Sequence, residues 1–201
     1  MTLILRPDVP SEVAAIVLGA GWLGFGAILV IGKRGAAKGD ARRDVTSSFG
    51  FASQCVAYGL CFAFHREFFS PLIPSTPAID WALALFAISL TIASVWFCFA
   101  AARALGRQWA LMARVIEGHA LIREGPYAVV RNPIYFAMLG MLVATGLAVS
   151  QWPAIVVAVV LYAAGTIIRI RSEEKLLRAA FGAKFDDYAR STPAFLPLRW
   201  R

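Results

Sequence analysis

Charge is scarce in this chain. Only 16% of its 201 residues are Asp, Glu, Lys or Arg, against about 25% in an average soluble domain. That scarcity excludes a disordered polar chain and argues against a water-soluble globule. Cysteine is scarce too: Cys55, Cys61 and Cys98 all lie in apolar runs, without the close Cys/His clustering that zinc sites use. They read as buried free thiols, and no metal is expected. Met1 to Pro10 offers no basic region ahead of a short apolar stretch and no small-residue cleavage site, so the first apolar segment is expected to stay in the mature protein. No internal repeat or low-complexity linker is found, and the length suits one compact unit.

What is present is apolar bulk. Hydrophobic residues make up 59% of the chain, and the mean hydropathy is +0.67. A bilayer core about 30 Å thick needs roughly 20 helical residues, and only internally hydrogen-bonded helices survive there. Five spans are expected: Val13 to Ile31, Phe49 to Phe64, Ile79 to Ala102, Ile134 to Val149 and Pro153 to Ile168. The second is the weakest, being short and carrying Ser53, Gln54 and Tyr58, which suits a helix facing other protein. Gln54 is expected to hydrogen-bond another helix. The last two, separated by Ser150 to Pro153, can only form a hairpin. Small-residue pairs Ala15/Gly19, Ala20/Gly24 and Gly140/Ala144 are spaced for close helix packing. The fold class is therefore all-α, an integral membrane bundle of about five spans.

The basic residues set the topology. All but Arg6 and Arg66 of the 20 Lys and Arg follow spans one, three and five, as the positive-inside rule requires of a chain with its amino terminus outside and its carboxyl terminus cytoplasmic. The location is then the inner membrane if the source is bacterial. This accounts for most of the net charge of +8, and no RNA- or DNA-binding motif competes for it. The bilayer is the expected partner; nucleic acid is not. Oligomeric state is not legible.

The cytoplasmic segments are not generic loops. Residues 118–135, G-H-A-L-I-R-E-G-P-Y-A-V-V-R-N-P-I-Y, mix turn formers, tyrosines and arginines up to the mouth of span four. Gly125-Pro126 and Asn132-Pro133 turn the chain, and Pro133 suits a first helical turn. Tyr135 then falls in that turn, where free N–H groups could hold a carboxylate. After span five come R-I-R-S-E-E-K-L-L (169–177) and F-G-A-K-F-D-D-Y (181–188). Arg169 and Glu173 share a helix face near the membrane boundary, where charge is costly without a partner or ligand. Leu177, Phe181, Phe185 and Tyr188 form an apolar stripe, so an amphipathic carboxyl-terminal helix should lie against the bundle or the membrane. The hairpin brings both polar segments to one pocket with a cytoplasmic mouth.

Together with Leu105-Gly106-Arg107-Gln108-Trp109 and a closing Pro197, these motifs resemble the isoprenylcysteine carboxyl methyltransferase family and its phospholipid methyltransferase relatives. The resemblance covers about Leu105 to Pro197. It implies an integral membrane methyltransferase that uses S-adenosylmethionine without a Rossmann domain, the cofactor lying between the last helices and the loop before them. It also implies two regions: 1–104 for packing and the acceptor, and 105–201 for the cofactor. On matching positions, Gln108, His119 and the Leu121-Ile122 backbone would border the cofactor. Gly125, Pro126 and Tyr127 would shape the loop over it, and Arg131, Asn132 and Tyr135 would meet its methionine part. Glu173, with Glu174, would hold its ammonium or ribose, and Arg169 would lie near the acceptor; Arg169 and Glu173 are the candidate catalytic pair. Asn132 stands where the family usually has histidine, and asparagine cannot become cationic. Ala137 replaces a common glycine.

These residue types suit methyl transfer. A sulfonium is already a good leaving group, so the protein must mainly align an acceptor and exclude water, with orientation contributing up to roughly 7 to 11 kcal/mol. A carboxylate acceptor needs only a cation such as Arg169 to place it, whereas a lipid amine must first lose a proton. Carboxyl O-methylation of an amphiphilic, isoprenylcysteine-like acceptor is the first expectation. The alternatives are N-methylation of a phospholipid amine, thiol methylation, and a non-enzymatic assembly or transport protein.

Overall fold

The computed structural model describes residues 9–35, 45–67, 70, 72, 76–106 and 121–197. They form seven helices: α1 (Val9–Gly35), α2 (Val45–Ala63), α3 (Pro77–Leu105), α4 (Pro126–Val129), α5 (Pro133–Val149), α6 (Trp152–Phe181) and α7 (Ala183–Ser191). The five expected spans correspond to α1, α2, α3, α5 and α6. Of these, α1, α3 and α6 are long and apolar enough to cross a membrane by themselves. The chain is thus an all-α integral membrane bundle.

α3 displays the logic of the bundle. Its buried positions, Ala84, Ala87, Thr91, Ser94, Cys98 and Ala101, recur every three or four residues and are all small, while Leu85, Phe86, Ile92, Trp96 and Phe99 face outward. In water that outer surface would be an aggregation hazard; in lipid it is the solvated face. Lipid provides no hydrophobic drive between helices, so close packing of small residues holds them together. A Cβ on Gly140 of α5 would meet Ser94 Oγ of α3 at 2.1 Å, and one on Gly21 of α1 would meet Thr91 Cγ2 of α3 at 2.3 Å. Among the small residues picked from the sequence, Gly140, Ala144 and Gly24 face other helices, whereas Gly19 has nothing within 4 Å.

α5 is the hub, packing against α1, α2, α3, α4 and α6. Its 17 residues span only about 25 Å, short of the bilayer core, and helices rather than lipid cover most of its length. Met141 faces one core cluster with Leu18, Phe25 and Cys98. Its neighbour Leu142 faces a second with Ala57, Cys61 and Tyr162. Polar side chains inside find partners across helices or within their own, as lipid demands: Trp22 Nε1 donates to Thr145 Oγ1 at 3.1 Å, Tyr58 Oη to the Met138 carbonyl at 2.7 Å, and Thr91 Oγ1 to the Ala87 carbonyl of its own helix at 2.8 Å.

Only Ser150 and Gln151 separate α5 from α6, confirming the hairpin. Arg66 seals that end. Its backbone N–H donates to the Val149 carbonyl at 2.8 Å. Its guanidinium donates to the carbonyls of Leu147 and Ala148, each at 3.0 Å, and to that of Ser150. These are the carbonyls a helix end leaves orphaned, so one arginine caps α5. Burial draws its pKa below the ordinary arginine value. Ser11 of α1 bonds the Ser70 carbonyl at this same end, so successive spans alternate in direction.

At the other end, the 30 residues of α6 reach about 45 Å, so the polar stretch that begins with Arg169 starts near the edge of the bilayer core and its later turns project past it. α6 stops at Gly182, whose φ of +51° suits glycine. The carboxyl-terminal stripe is therefore divided between the end of α6 and α7. Phe185 and Tyr188 of α7 are buried, which resolves the choice between bundle and membrane: α7 docks on the protein.

Candidate functional site

Three side chains meet where α5 begins and α6 leaves the membrane. Pro133 occupies the first turn of α5 and Asn132 its N-cap position, which puts Tyr135 one step inside the helix. Tyr135 Oη donates a hydrogen bond to Glu173 Oε1 of α6. Arg169, one turn earlier on the same face, places Nη2 3.7 Å from that same Oε1. The guanidinium carbon also lies 4.9 Å from the Tyr135 ring centroid and 5.6 Å from that of Phe51 on α2, within cation–π range. Tyr162 Oη donates to the Tyr135 carbonyl at 3.0 Å, fixing the two arms of the hairpin together beneath the site.

α2 completes this centre. Gln54 Oε1 accepts from Arg169 Nη1 at 3.0 Å, while Gln54 Nε2 donates to Thr166 Oγ1 at 2.8 Å. The approach depends on glycine. A Cβ on Gly50 would lie 2.5 Å from the Gly165 carbonyl oxygen and 2.6 Å from Arg169 Cγ, and one on Gly165 would lie 2.6 Å from the Gly50 oxygen.

A second cluster braces the first. Arg131 bonds Glu174 Oε1 through Nε at 2.8 Å and Nη2 at 2.7 Å, a pair only 11% and 15% exposed. Its Nη1 donates to the carbonyls of Ala189, at 2.9 Å, and Thr192, so it also caps α7. Its own N–H donates to the Pro193 carbonyl at 2.9 Å. Asn132 Nδ2 donates to the Ala194 carbonyl at 2.8 Å. Arg131, Asn132 and Glu174 thus lash the mouth of α5 to the carboxyl-terminal segment. Asn132 needs no charge for that bond. Ala137 is buried in the α1, α3, α5 core.

The loop ahead of α5 is held in the same manner. Gly125 has φ of +60°, a conformation L side chains rarely adopt, and it turns the chain into α4, whose first residue is Pro126. Pro126 and Tyr127 are buried, and Leu121 and Ile122 half-buried. Tyr188 Oη donates to the Tyr127 carbonyl at 2.6 Å, and Arg123 lies over the Tyr188 ring at 5.5 Å. Burial pushes both phenols up from their ordinary pKa; Tyr188 adds to the rise at Tyr127, while Arg131 and Arg123 partly oppose it at Tyr188. Both therefore remain neutral donors through the physiological range. Gln108 and His119 lie outside the described residues.

Of the residues picked from the sequence, Tyr135, Arg169 and Glu173 come together, Arg131 joins Glu174, and Asn132 joins the tail. Phe51 and Thr166 went unrecognised. Gln54 was expected to bond another helix, but not this arginine; a lone amide in an apolar span was the available signal. The assembled set is a carboxylate, a guanidinium, an aromatic face and the opening N–H groups of α5. It suits a ligand that carries both a cation and an anion.

The chain is similar to known proteins over about half of its length. The phospholipid methyltransferase family model matches residues 82–184, from within α3 through the hairpin to the start of α7. The nickel-cobalt-cadmium resistance protein NccN of Alcaligenes xylosoxydans xylosoxydans is 37% identical over 97 residues, 46% of this chain and 44% of that protein. The cobalt-zinc-cadmium resistance protein CzcN of Cupriavidus metallidurans is 33% identical over 94 residues, 46% of this chain and 43% of that protein. The matched stretch spans less than half the length of these curated relatives. With half the chain under the family model and its helices forming a membrane bundle around the matched motifs, the protein belongs to the phospholipid methyltransferase family of membrane methyltransferases.

Proposed function

We propose that this protein transfers the methyl group of S-adenosylmethionine to an anionic, amphiphilic acceptor at the cytoplasmic face of the membrane. The observation that carries the proposal is the contact of Tyr135 with Glu173 across the α5–α6 hairpin, with Arg169 stacked beside it. The donor set fits the cofactor. Glu173 can hold its ammonium, the Tyr135 face its cationic sulfur, and the first turn of α5 its carboxylate. When bound, the cofactor supplies an activated methyl group. The protein's own part is to position and to exclude water. Arg169 attracts and orients a carboxylate at the membrane boundary, and Gly125, Pro126 and Tyr127 close the loop side. Arg131 with Glu174 keeps the carboxyl-terminal segment in place as the far wall. The amino terminus lies outside and the charged ends of α3 and α6 are cytoplasmic, in line with the basic residues. Residues 1–104 choose the acceptor and residues 105–201 hold the cofactor.

A second reading, N-methylation of a phospholipid amine, is favoured by the family description, with Glu173 accepting the proton the amine must lose. Incubation of purified membranes with methyl-labelled S-adenosylmethionine separates them. With N-acetyl-S-farnesyl-cysteine as acceptor, O-methylation gives base-labile label; with phosphatidylethanolamine vesicles, N-methylation gives label that survives alkali. Label only in alkali-stable lipid replaces the first reading by the second, and no transfer to either refutes both. The relatives' names bring metal tolerance to this chain only as a physiological setting, which growth on nickel or cobalt salts with and without the gene would test.

A further inference from the structure

We infer that Gln54, on a helix outside the family-matched region, is the positioning residue that aims Arg169 at the acceptor. The inference rests on the proposed O-methylation. Gln54 is 2% exposed in a helix otherwise rich in apolar and small residues. Burying an amide there is costly unless its hydrogen bonds are made. Both are made, and both go to one face of α6, where Thr166 and Arg169 are three residues apart: Thr166 receives Nε2 and Arg169 gives Nη1 to Oε1.

Arg169 fixes which way the amide points, because a guanidinium only donates and so requires the carbonyl oxygen. That turns Nε2 to the Thr166 hydroxyl, which accepts it. A guanidinium has a planar fork of donors, so tying Nη1 to Gln54 determines where Nη2 points, and Nη2 faces Glu173 Oε1 at 3.7 Å. That separation exceeds a hydrogen bond: Glu173 is shared with Tyr135 and does not clamp the arginine by itself. The Tyr135 ring of α5 at 4.9 Å is a further constraint, and α2 adds the Phe51 ring at 5.6 Å and the glycine crossing at Gly50 and Gly165. Ser53 Oγ, bonded to the Leu161 carbonyl at 2.8 Å, locks the register of α2 on α6. Gln54 supplies a neutral acceptor rather than a carboxylate, so it orients the cation without cancelling its charge. That is the requirement for recognising an anionic acceptor and would be the wrong choice for a purely structural ion pair.

Two substitutions test this, read by steady-state transfer to N-acetyl-S-farnesyl-cysteine in detergent-solubilised protein, by equilibrium binding of S-adenosylhomocysteine and by thermal unfolding. Gln54→Leu should raise the acceptor KM about tenfold, the size expected from one charge-assisted hydrogen bond. It should leave S-adenosylhomocysteine affinity within twofold. Gln54→Glu keeps the shape and the acceptor facing Arg169, and in protein that still unfolds cooperatively it should raise the acceptor KM by at least as much, because its carboxylate competes for the cation. Acceptor KM within twofold of wild type in either folded variant overturns the inference, as does a loss of cofactor affinity in step with KM. If wild type transfers no label to this probe, the proposed function and the inference fail together; wild-type transfer with an unchanged KM in the variants sinks the inference alone.

Discussion

Adding one methyl group at Gly165 tests whether the α2–α6 crossing sets the site. In Gly165→Ala the new Cβ would lie 2.6 Å from the Gly50 carbonyl oxygen and 2.8 Å from Ser53 Cβ, where ordinary contact begins near 3.4 Å. The helices must separate by about 0.8 Å to relieve it. The first obstacle is backbone, which no rotamer change moves, so the overpacking cost belongs near the upper end of its range, about 3 kcal/mol. Alanine in place of glycine returns about 1 kcal/mol of helix propensity. The net is a loss of about 2 kcal/mol, roughly a thirtyfold shift in the folding equilibrium. The same separation stretches the 3.0 Å bond between Gln54 and Arg169, one turn along α6, so methyl transfer should fall as well. Gly19→Ala is the control, since nothing lies within 4 Å of its Cβ; it should be neutral or stabilising by up to about 1 kcal/mol. Both are measured by unfolding in mixed detergent micelles. Equal stability of Gly165→Ala and Gly19→Ala would refute the tight crossing.

Further expectations concern the two ends of the bundle. Arg66→Ala uncovers the carbonyls of Leu147, Ala148 and Ser150, and should lower stability by about 3 kcal/mol in the same unfolding assay, without altering cofactor affinity in protein that remains folded. Tyr135→Phe keeps the ring beside Arg169 but removes the donor to Glu173; transfer should drop roughly tenfold with little change in unfolding temperature. Tyr127 and Tyr188 have phenol pKa values raised by burial, so the folded state keeps protons that the unfolded chain releases near pH 10. Their contribution is therefore complete below about pH 10 and is lost as pH rises from there toward the folded values. Unfolding measured from pH 7 to 11 should show that decline, and Tyr188→Phe should lessen it.

The sequence disclosed the helices because lipid imposes one rule on every span: about 20 apolar residues with internal hydrogen bonds. It disclosed Tyr135, Arg169 and Glu173 as candidate residues because proline at the start of α5 and the i, i+4 spacing on α6 fixed their places along each helix, and the structure brings the three together. The part played by α2 was harder to see. Gln54 and Phe51 are more than a hundred residues from Arg169, and their meeting depends on Gly50 facing Gly165, a contact that only three-dimensional packing defines. The glycine pairs legible by spacing were an uneven guide. Gly140 is at a crossing and Gly19 is not, because spacing shows that a face is smooth without showing what it meets. Arg66 looked like a leftover of the charge count, since a cap on distant carbonyls leaves no local motif. Arg131 and Glu174 were marked for the cofactor and are found paired with each other and with the end of α7.

The central claim is that Glu173, held by Tyr135 beside Arg169, secures the cofactor. Equilibrium dialysis of labelled S-adenosylmethionine against wild type and Glu173→Gln measures it directly, because the amide keeps the shape and hydrogen-bonding capacity while removing the charge. Saturable one-to-one binding by wild type, weakened at least tenfold in a variant that still unfolds cooperatively, is the predicted result. Equal affinity in the two proteins, or no saturable binding by wild type, would contradict the account.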